Sequence, residues 1–250
     1  MTVAFALARR ELVRFFRQPS RIVGAVAPPL LVWLLMGFGF GSSFRAPGGS
    51  LAYFFPGTIL LVVLFASIFS TISVIEDRRE GFLQGVLVSP AHPFEIALGK
   101  VMGGTLLGLL QGGSLLLLVP FLGFPWRSLA FLEAIGILCL VAFALTGLGF
   151  AIAWSLESTQ GFHSVMNLFL LPMWLLSGAF FPMAGAAPWL RVVMSLDPLT
   201  YGLAALRRGL DPAGSADLPS FGLSALVTLG FGVLTMAISV IVVERKPAPS

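Results

Sequence analysis

Charge is what this chain lacks most. Only 10% of its 250 residues are Asp, Glu, Lys or Arg, against about 25% in ordinary soluble domains. Apolar residues reach 57% and the mean hydropathy is +0.97. That balance excludes a soluble globular domain and predicts an integral membrane protein. Cysteine is nearly absent: Cys139 stands alone, which excludes an internal disulfide and a cysteine-based metal cluster. The two histidines, His92 and His163, lie in different segments. No HEXXH motif exists, and no His/Cys/carboxylate set has the spacing of a metal site, so no metal is expected. No phosphate-binding G-x-x-x-x-G-K-[ST] loop is present either: Gly99-Lys100 runs into Val101, and Phe94 stands where the first glycine belongs. Gly113-Ser114 continues with Leu115 and has no histidine partner. The chain is therefore expected to be neither a catalyst nor a cofactor binder. If it moves something uphill, the energy comes from a gradient or from another polypeptide. A gradient-driven carrier needs several ionisable groups near mid-membrane, and these too are scarce. The sequence pI near 10.0 comes from scattered basic residues that form no basic face, so no nucleic acid partner is expected.

What the chain has in abundance is long apolar runs. A helix crosses a bilayer with about 20 apolar residues, and six segments qualify, near 22–42, 54–75, 98–120, 129–154, 162–182 and 221–243. Interior glycine and proline argue for helices rather than the alternating pattern of a barrel. The run from 22 is too long for a cleaved signal peptide core, which makes it the first span. The expected fold is all-α: a single transmembrane domain over 1–250 with six spans. Six spans place both termini on one side. That side carries ten basic residues: Arg9, Arg10, Arg14, Arg17, Arg21, Arg78, Arg79, Lys100, Arg245 and Lys246. The other carries five: Arg45, Arg127, Arg191, Arg207 and Arg208. The positive-inside bias puts both termini in the cytoplasm.

Two segments outside the spans have helical periodicity. In residues 1–21, Phe5, Ala8, Leu12, Phe15 and Phe16 share one face and Arg10, Arg14 and Arg17 the opposite one. This predicts an amphipathic helix in the membrane interface, its arginines toward lipid phosphates, with Leu7 and Arg9 off pattern. Residues 183–220 are too apolar for a free loop and too rich in proline to span, which predicts re-entrant or interfacial helices, with a turn at Asp197-Pro198.

The densest charge is Glu76-Asp77-Arg78-Arg79-Glu80, followed by Gly81, Phe82 and Leu83 and closed by Ser89-Pro90. Phe82, Leu83, Val86 and Leu87 form a narrow apolar face. A short amphipathic helix preceded by charges makes a docking knob, and 76–97 is read as one cytoplasmic loop. Gln160, His163 and Asn167 recur at i, i+3, i+7 in the fifth span and are candidates to line a translocation path or to bond between helices. Gly104, Gly108 and Gly112 form a ridge for close helix approach.

The stretch Asp77-Arg78-Arg79-Glu80-Gly81 through Val88-Ser89-Pro90 to Glu95–Lys100 resembles the cytoplasmic loop of type-2 ABC exporter permeases. So does the order Leu171-Pro172, Leu176–Pro182, Pro188-Trp189-Leu190, Asp197–Tyr201 and Leu206-Arg207-Arg208. Phe82, Gln84 and Asp197 depart from residues common in that family. The resemblance implies a permease subunit in the plasma (inner) membrane that exports a drug-, lipid- or glycan-like substrate. It also implies a second permease copy and separate ATPase subunits, which carry the ATP and Mg²⁺. The coupling helix of such permeases maps onto Glu76, Asp77, Arg78, Arg79, Glu80, Gly81, Phe82, Leu83, Ser89 and Pro90.

Overall fold

In the computed structural model, residues 2–41, 49–88, 91–124, 128–211, 215 and 217–245 are described. Ser89, Pro90, Arg45, Arg127 and Lys246 lie outside them. Every described element is helical: α1 (Thr2–Phe16), α2 (Pro19–Gly39), α3 (Gly49–Ser70), α4 (Ile72–Arg79), α5 (Phe82–Val88), α6 (Pro93–Leu115), α7 (Ser128–Ser155), α8 (Thr159–Trp174), α9 (Pro188–Leu196), α10 (Pro198–Leu210) and α11 (Phe221–Arg245). Prolines open α2, α6, α9 and α10, where the missing N–H costs no helical bond. Ser158 caps α8 by accepting from the Gly161 N–H at 2.8 Å.

Among the described residues, five helical stretches are long and apolar enough to cross a membrane: Gly49–Arg79, Pro93–Leu122, Ala130–Ser155, Thr159–Ala179 and Phe221–Arg245. A shorter apolar helix, Val23–Gly39, stands where the first span is expected. The faces left uncovered are apolar, including Leu35 and Phe38 on α2, Leu168 and Phe169 on α8, and Leu226 and Val233 on α11. Exposure on that scale suits hydrocarbon, not water, so the chain is a multi-pass membrane protein. The charged run departs from its expected form. Glu76 to Arg79 are the last turn of a helix that continues α3, and only Glu80-Gly81 make the turn into α5, with Gly81 at φ +76.

α3 is the core, buried along almost its whole length between α2, α6 and α7. Small residues allow this approach. A Cβ on Gly104 would meet Ser70 Oγ and Thr146 Cγ2, one on Gly108 would meet Ser67 Oγ, and one on Gly112 would meet Val63 Cγ2. The glycine ridge therefore packs within the chain, against α3 and α7. Polar atoms tie the helices further. Trp174 Nε1 donates to the Gly57 carbonyl at 2.8 Å, Trp33 Nε1 to Leu51 at 2.9 Å, and Ser239 Oγ to Gly147 at 2.9 Å.

The last turn of the fifth span is a π-helical turn, Leu175–Ala179, that breaks at Gly178 with φ +88. Two short helices follow. α9 exposes Trp189, Val192 and Leu196, while α10 is mostly buried against α7 and α11. Asp197 joins them. Its Oδ1 accepts from the Leu199 N–H at 2.9 Å, and its Oδ2 is buried without a partner among the described residues. Burial raises the Asp197 pKa to about 7, against the opposing effect of the Leu199 N–H.

Gly108→Val should lower stability by about 1–3 kcal/mol through overpacking, whereas Gly113→Ala, whose Cβ meets nothing nearer than 4.0 Å, should be neutral or slightly stabilising; thermal unfolding in detergent micelles reads both. For Asp197, a pKa higher in the folded than in the unfolded chain means that stability is lost as pH rises from about 4 through about 7. Asp197→Asn keeps the capping oxygen and removes that charge, so the fall in melting temperature between pH 4 and 7 should flatten relative to the parent.

Candidate functional site

Charged side chains are scarce in this chain, and the structure gathers several of them at one place. α4 brings Asp77, α1 brings Arg10, Glu11 and Arg14, and α6 brings Lys100. The Asp77 carboxylate is fully buried. It accepts both arms of the Arg10 guanidinium at 2.7 Å each, Arg14 at 3.0 Å, and a very close Lys100 Nζ. Lys100 Nζ also donates to Glu11 Oε1 at 2.5 Å and to Ser73 Oγ at 3.3 Å. Arg14 reaches Glu76 at 2.9 Å and Glu80 at 3.5 Å. Hydrogen bonding to Asp77 pushes the Arg10 pKa above its ordinary value despite the opposing effect of burial.

A lone buried charge is costly, and a buried ion pair offsets that cost only when its remaining hydrogen-bonding capacity is met. Here one carboxylate meets three cations, and Lys100 is satisfied by two carboxylates and a hydroxyl. The cluster therefore holds three helices in register. Helix packing permits it: Gly99 and Gly103 on α6 let the α1 backbone and Glu11 come within contact distance.

This alters the reading of α1. Leu7, off the amphipathic pattern, is buried against α6 together with Ala4 and Ala8. Phe5 and Phe16 are exposed. Arg10 and Arg14 point at Asp77 rather than at lipid phosphates, because a buried carboxylate offers a stronger partner than a solvated headgroup. Arg9 and Arg17 remain exposed and line a shallow groove that ends at Glu80.

The other two charges of the run anchor α4 to the end of α7. Arg78 donates to the Trp154 carbonyl at 2.6 Å and the Leu156 carbonyl at 3.3 Å. Arg79 donates to the Glu157 carbonyl at 3.1 and 3.3 Å. Carbonyls at a helix C-terminus lack intrahelical donors, and a cation there also meets the negative end of the dipole.

α5 sits on this base. Leu83 is fully buried, and the Phe82 ring lies 3.7 Å beneath the Arg10 guanidinium. Gln84, Gly85 and Val88 face outward, with Val88 88% exposed. The structure thus divides the candidate residues. Asp77 is turned inward, Glu76 and Arg78 are partly covered, and Arg79, Glu80 and Phe82 are exposed. Gly81 is the hinge. Ser89 and Pro90 fall outside the described residues.

Gln160, His163 and Asn167 are all exposed on α8. Of the three, only His163 lines a cavity of about 470 Å³ between α1, α2, α3, α6 and α8, its ring edge-on to Phe69 at 5.2 Å. Sequence reasoning missed Glu11 and the second role of Lys100. Lys100 entered only as a topology charge, although an ionisable residue in an apolar helix is itself a signal that a partner is near. Among the described residues no group of three or more His, Cys, Asp or Glu could hold a metal.

A family model described as ABC-2 type transporter matches residues 2–210. The transport permease ycf38 of Cyanophora paradoxa is 28% identical over 215 residues, covering 81% of this chain and 72% of its own. Nodulation protein J of Sinorhizobium fredii is 26% identical over 234 residues, covering 91% and 87% respectively. The inner membrane transport permease YhhJ of Escherichia coli is 30% identical over 156 residues, or 62% of this chain and 40% of its own.

Replacing Asp77 with Asn leaves three cations facing a neutral group. Breaking a buried pair in this way typically costs about 3–5 kcal/mol. The Asp77→Asn protein should therefore unfold at markedly lower temperature in micelles, and protease should release residues 1–18 faster than from the parent.

Proposed function

The chain belongs to the ABC-2 type transporter family, and we propose that it is the permease subunit of an ATP-driven exporter, working as a dimer with separately encoded ATPase subunits. The observation that carries this reading is the small helix α5, exposed at Phe82, Gln84 and Val88, preceded by the exposed turn residue Glu80 and seated on a base tied together by buried charge. An exposed knob on a rigid base suits the transmission of force. α5 is the coupling element, and the groove lined by Arg9 and Arg17 extends the docking face. Both termini lie in the cytoplasm of the cell's plasma (inner) membrane, as the basic residue distribution favours.

When the ATPase subunits close on ATP and Mg²⁺, which they bind themselves, the push on α5 passes through three attachments. Phe82 presses on Arg10 of α1, Asp77 pulls on Lys100 of α6, and Arg78 and Arg79 pull on the end of α7. Because α4 continues α3, the displacement also reaches the far end of the core helix. The path opens between this chain and its second copy. The scarcity of charge along the spans favours an amphipathic, lipid-like cargo over a hydrophilic ion.

The double replacement Arg79→Ala with Glu80→Ala tests this assignment, since both side chains are exposed and neither bonds to Asp77; Glu80 meets the cluster only at its edge, through Arg14 at 3.5 Å. Membrane insertion and ATP hydrolysis by the assembled complex should persist. ATP-dependent uptake into inverted vesicles, the readout of export, should fall roughly tenfold, in line with a docking contact worth about 1–2 kcal/mol. Export at the parental rate would overturn the docking assignment at this charged turn. Export that continues without ATP and follows a proton or sodium gradient would point to a secondary carrier instead.

A further inference from the structure

A second cavity, of about 390 Å³, lies at the opposite end of the core helix, bounded by the start of α3, the π-helical turn and α10. Tyr53 there is 24 residues from Asp77, or roughly 35 Å along a helix. Nothing in the export reading uses it. Its walls combine an apolar part, including Ala52, Pro56 and Phe124, with two guanidinium groups, Arg191 and Arg207.

Arg207 is built into place. One terminal nitrogen donates to the Gly178 carbonyl at 3.1 Å, and its Cζ lies 4.7 Å from the Tyr53 ring centre. The Gly178 carbonyl is available because the span breaks there at φ +88, a conformation in which glycine is unstrained. No carboxylate pairs with Arg207 among the described residues. A guanidinium has five N–H donors, and the Gly178 carbonyl together with the Tyr53 hydroxyl engages only part of that set. Burial lowers the Arg207 pKa, so its surroundings penalise the charge that the side chain carries. Arg191 donates Nε to the Ala186 carbonyl at 2.9 Å, which leaves its terminal nitrogens for the same space. The hydroxyls of Ser177 and Thr200 donate to the carbonyls of Trp174 and Met194, so these two are already engaged, and the cationic donors that line the cavity are those of the arginines.

We infer that this cavity binds a singly charged oxyanion carried on a partly apolar molecule, with Arg207 as its anchor and Arg191 as its second donor. A guanidinium fork matches the oxygens of a phosphodiester or carboxylate. Asp211 and Asp217 also line the cavity, and their charge disfavours a dianion. The volume falls within the about 300–1,000 Å³ of small-molecule sites. A phospholipid headgroup region and a free phosphodiester present the same oxyanion, and the apolar walls favour the lipid.

The test uses the full chain in an uncharged, phosphate-free maltoside detergent. Three probes are titrated by calorimetry: dihexanoyl-phosphatidylglycerol, the lipid-free headgroup glycerophosphoglycerol, and dihexanoylglycerol, which lacks phosphate. Saturable binding of the phospholipid, little binding of dihexanoylglycerol, and at least tenfold weaker binding to Arg207→Gln are expected. Arg191→Gln should lose less. Equal affinity for glycerophosphoglycerol would keep the oxyanion site and assign it to a soluble ligand. Should Arg207→Gln fail to fold, Ala184→Trp narrows the cavity from its exposed rim without touching the arginines and should weaken binding as well. The inference is overturned if neither phosphodiester binds the parent, if dihexanoylglycerol binds as well as the phospholipid, or if the folded variants bind like the parent. No ATPase enters the measurement, so its outcome is independent of the export reading.

Discussion

The architecture at one end of this protein depends on a single buried carboxylate. Asp77 lies with no solvent exposure, and three cations from two other helices converge on it. Its desolvation is tolerable only because those cations arrive together and because Glu11 and Ser73 complete the coordination of Lys100. α1 is thereby part of the helical core and not a detachable surface anchor. α4 can remain helical through a run of charges because each charge finds a partner. α5 inherits a rigid platform, since Phe82 lies under the guanidinium that grips Asp77.

The remainder of the molecule obeys a different constraint. In hydrocarbon there is no hydrophobic force between apolar helices, so association rests on close packing and internally satisfied polar groups. The ridge at Gly104, Gly108 and Gly112 takes α6 into contact with α3, and Trp174 and Ser239 each give their donor to the backbone of a neighbouring helix. α3 and α4 together form one stretch from Gly49 to Arg79. The charged cluster sits at one of its ends and the cavity holding Arg207 beside the other.

Much of the helical plan was legible in residue order, because a run of about 20 apolar residues has few other uses. The expected segment at 54–75 corresponds to a longer helical stretch, Gly49–Arg79. The discrepancy is instructive. Charges at 76–80 read as the start of a cytoplasmic docking loop because composition reports polarity and not pairing. Arg10 lies 67 residues from Asp77, and nothing local announces that contact. The same limit misdirected α1. An amphipathic projection placed its arginines toward lipid and treated Leu7 as an exception, whereas packing on Gly99 selects Leu7 as a buried residue. Gln160, His163 and Asn167 do share an exposed side of α8, and of the three it is His163 that lines the cavity beside α1 and α3. Spacing defines which residues share a face, and the orientation of the whole helix decides what that face sees.

The sequence by itself determined that this is a helical membrane protein, where its apolar segments lie, and that it contains no phosphate-binding loop of its own. Those properties follow from composition and period, which are local. Only the tertiary structure decided which charges face water and which face one another, that the glycine ridge serves contacts within the chain, and that a guanidinium at the far end lies open to a cavity. The physical reason is common to all three. The free energy of a charge or a glycine depends on what lies within a few ångströms of it, and in a bundle those neighbours come from distant parts of the chain.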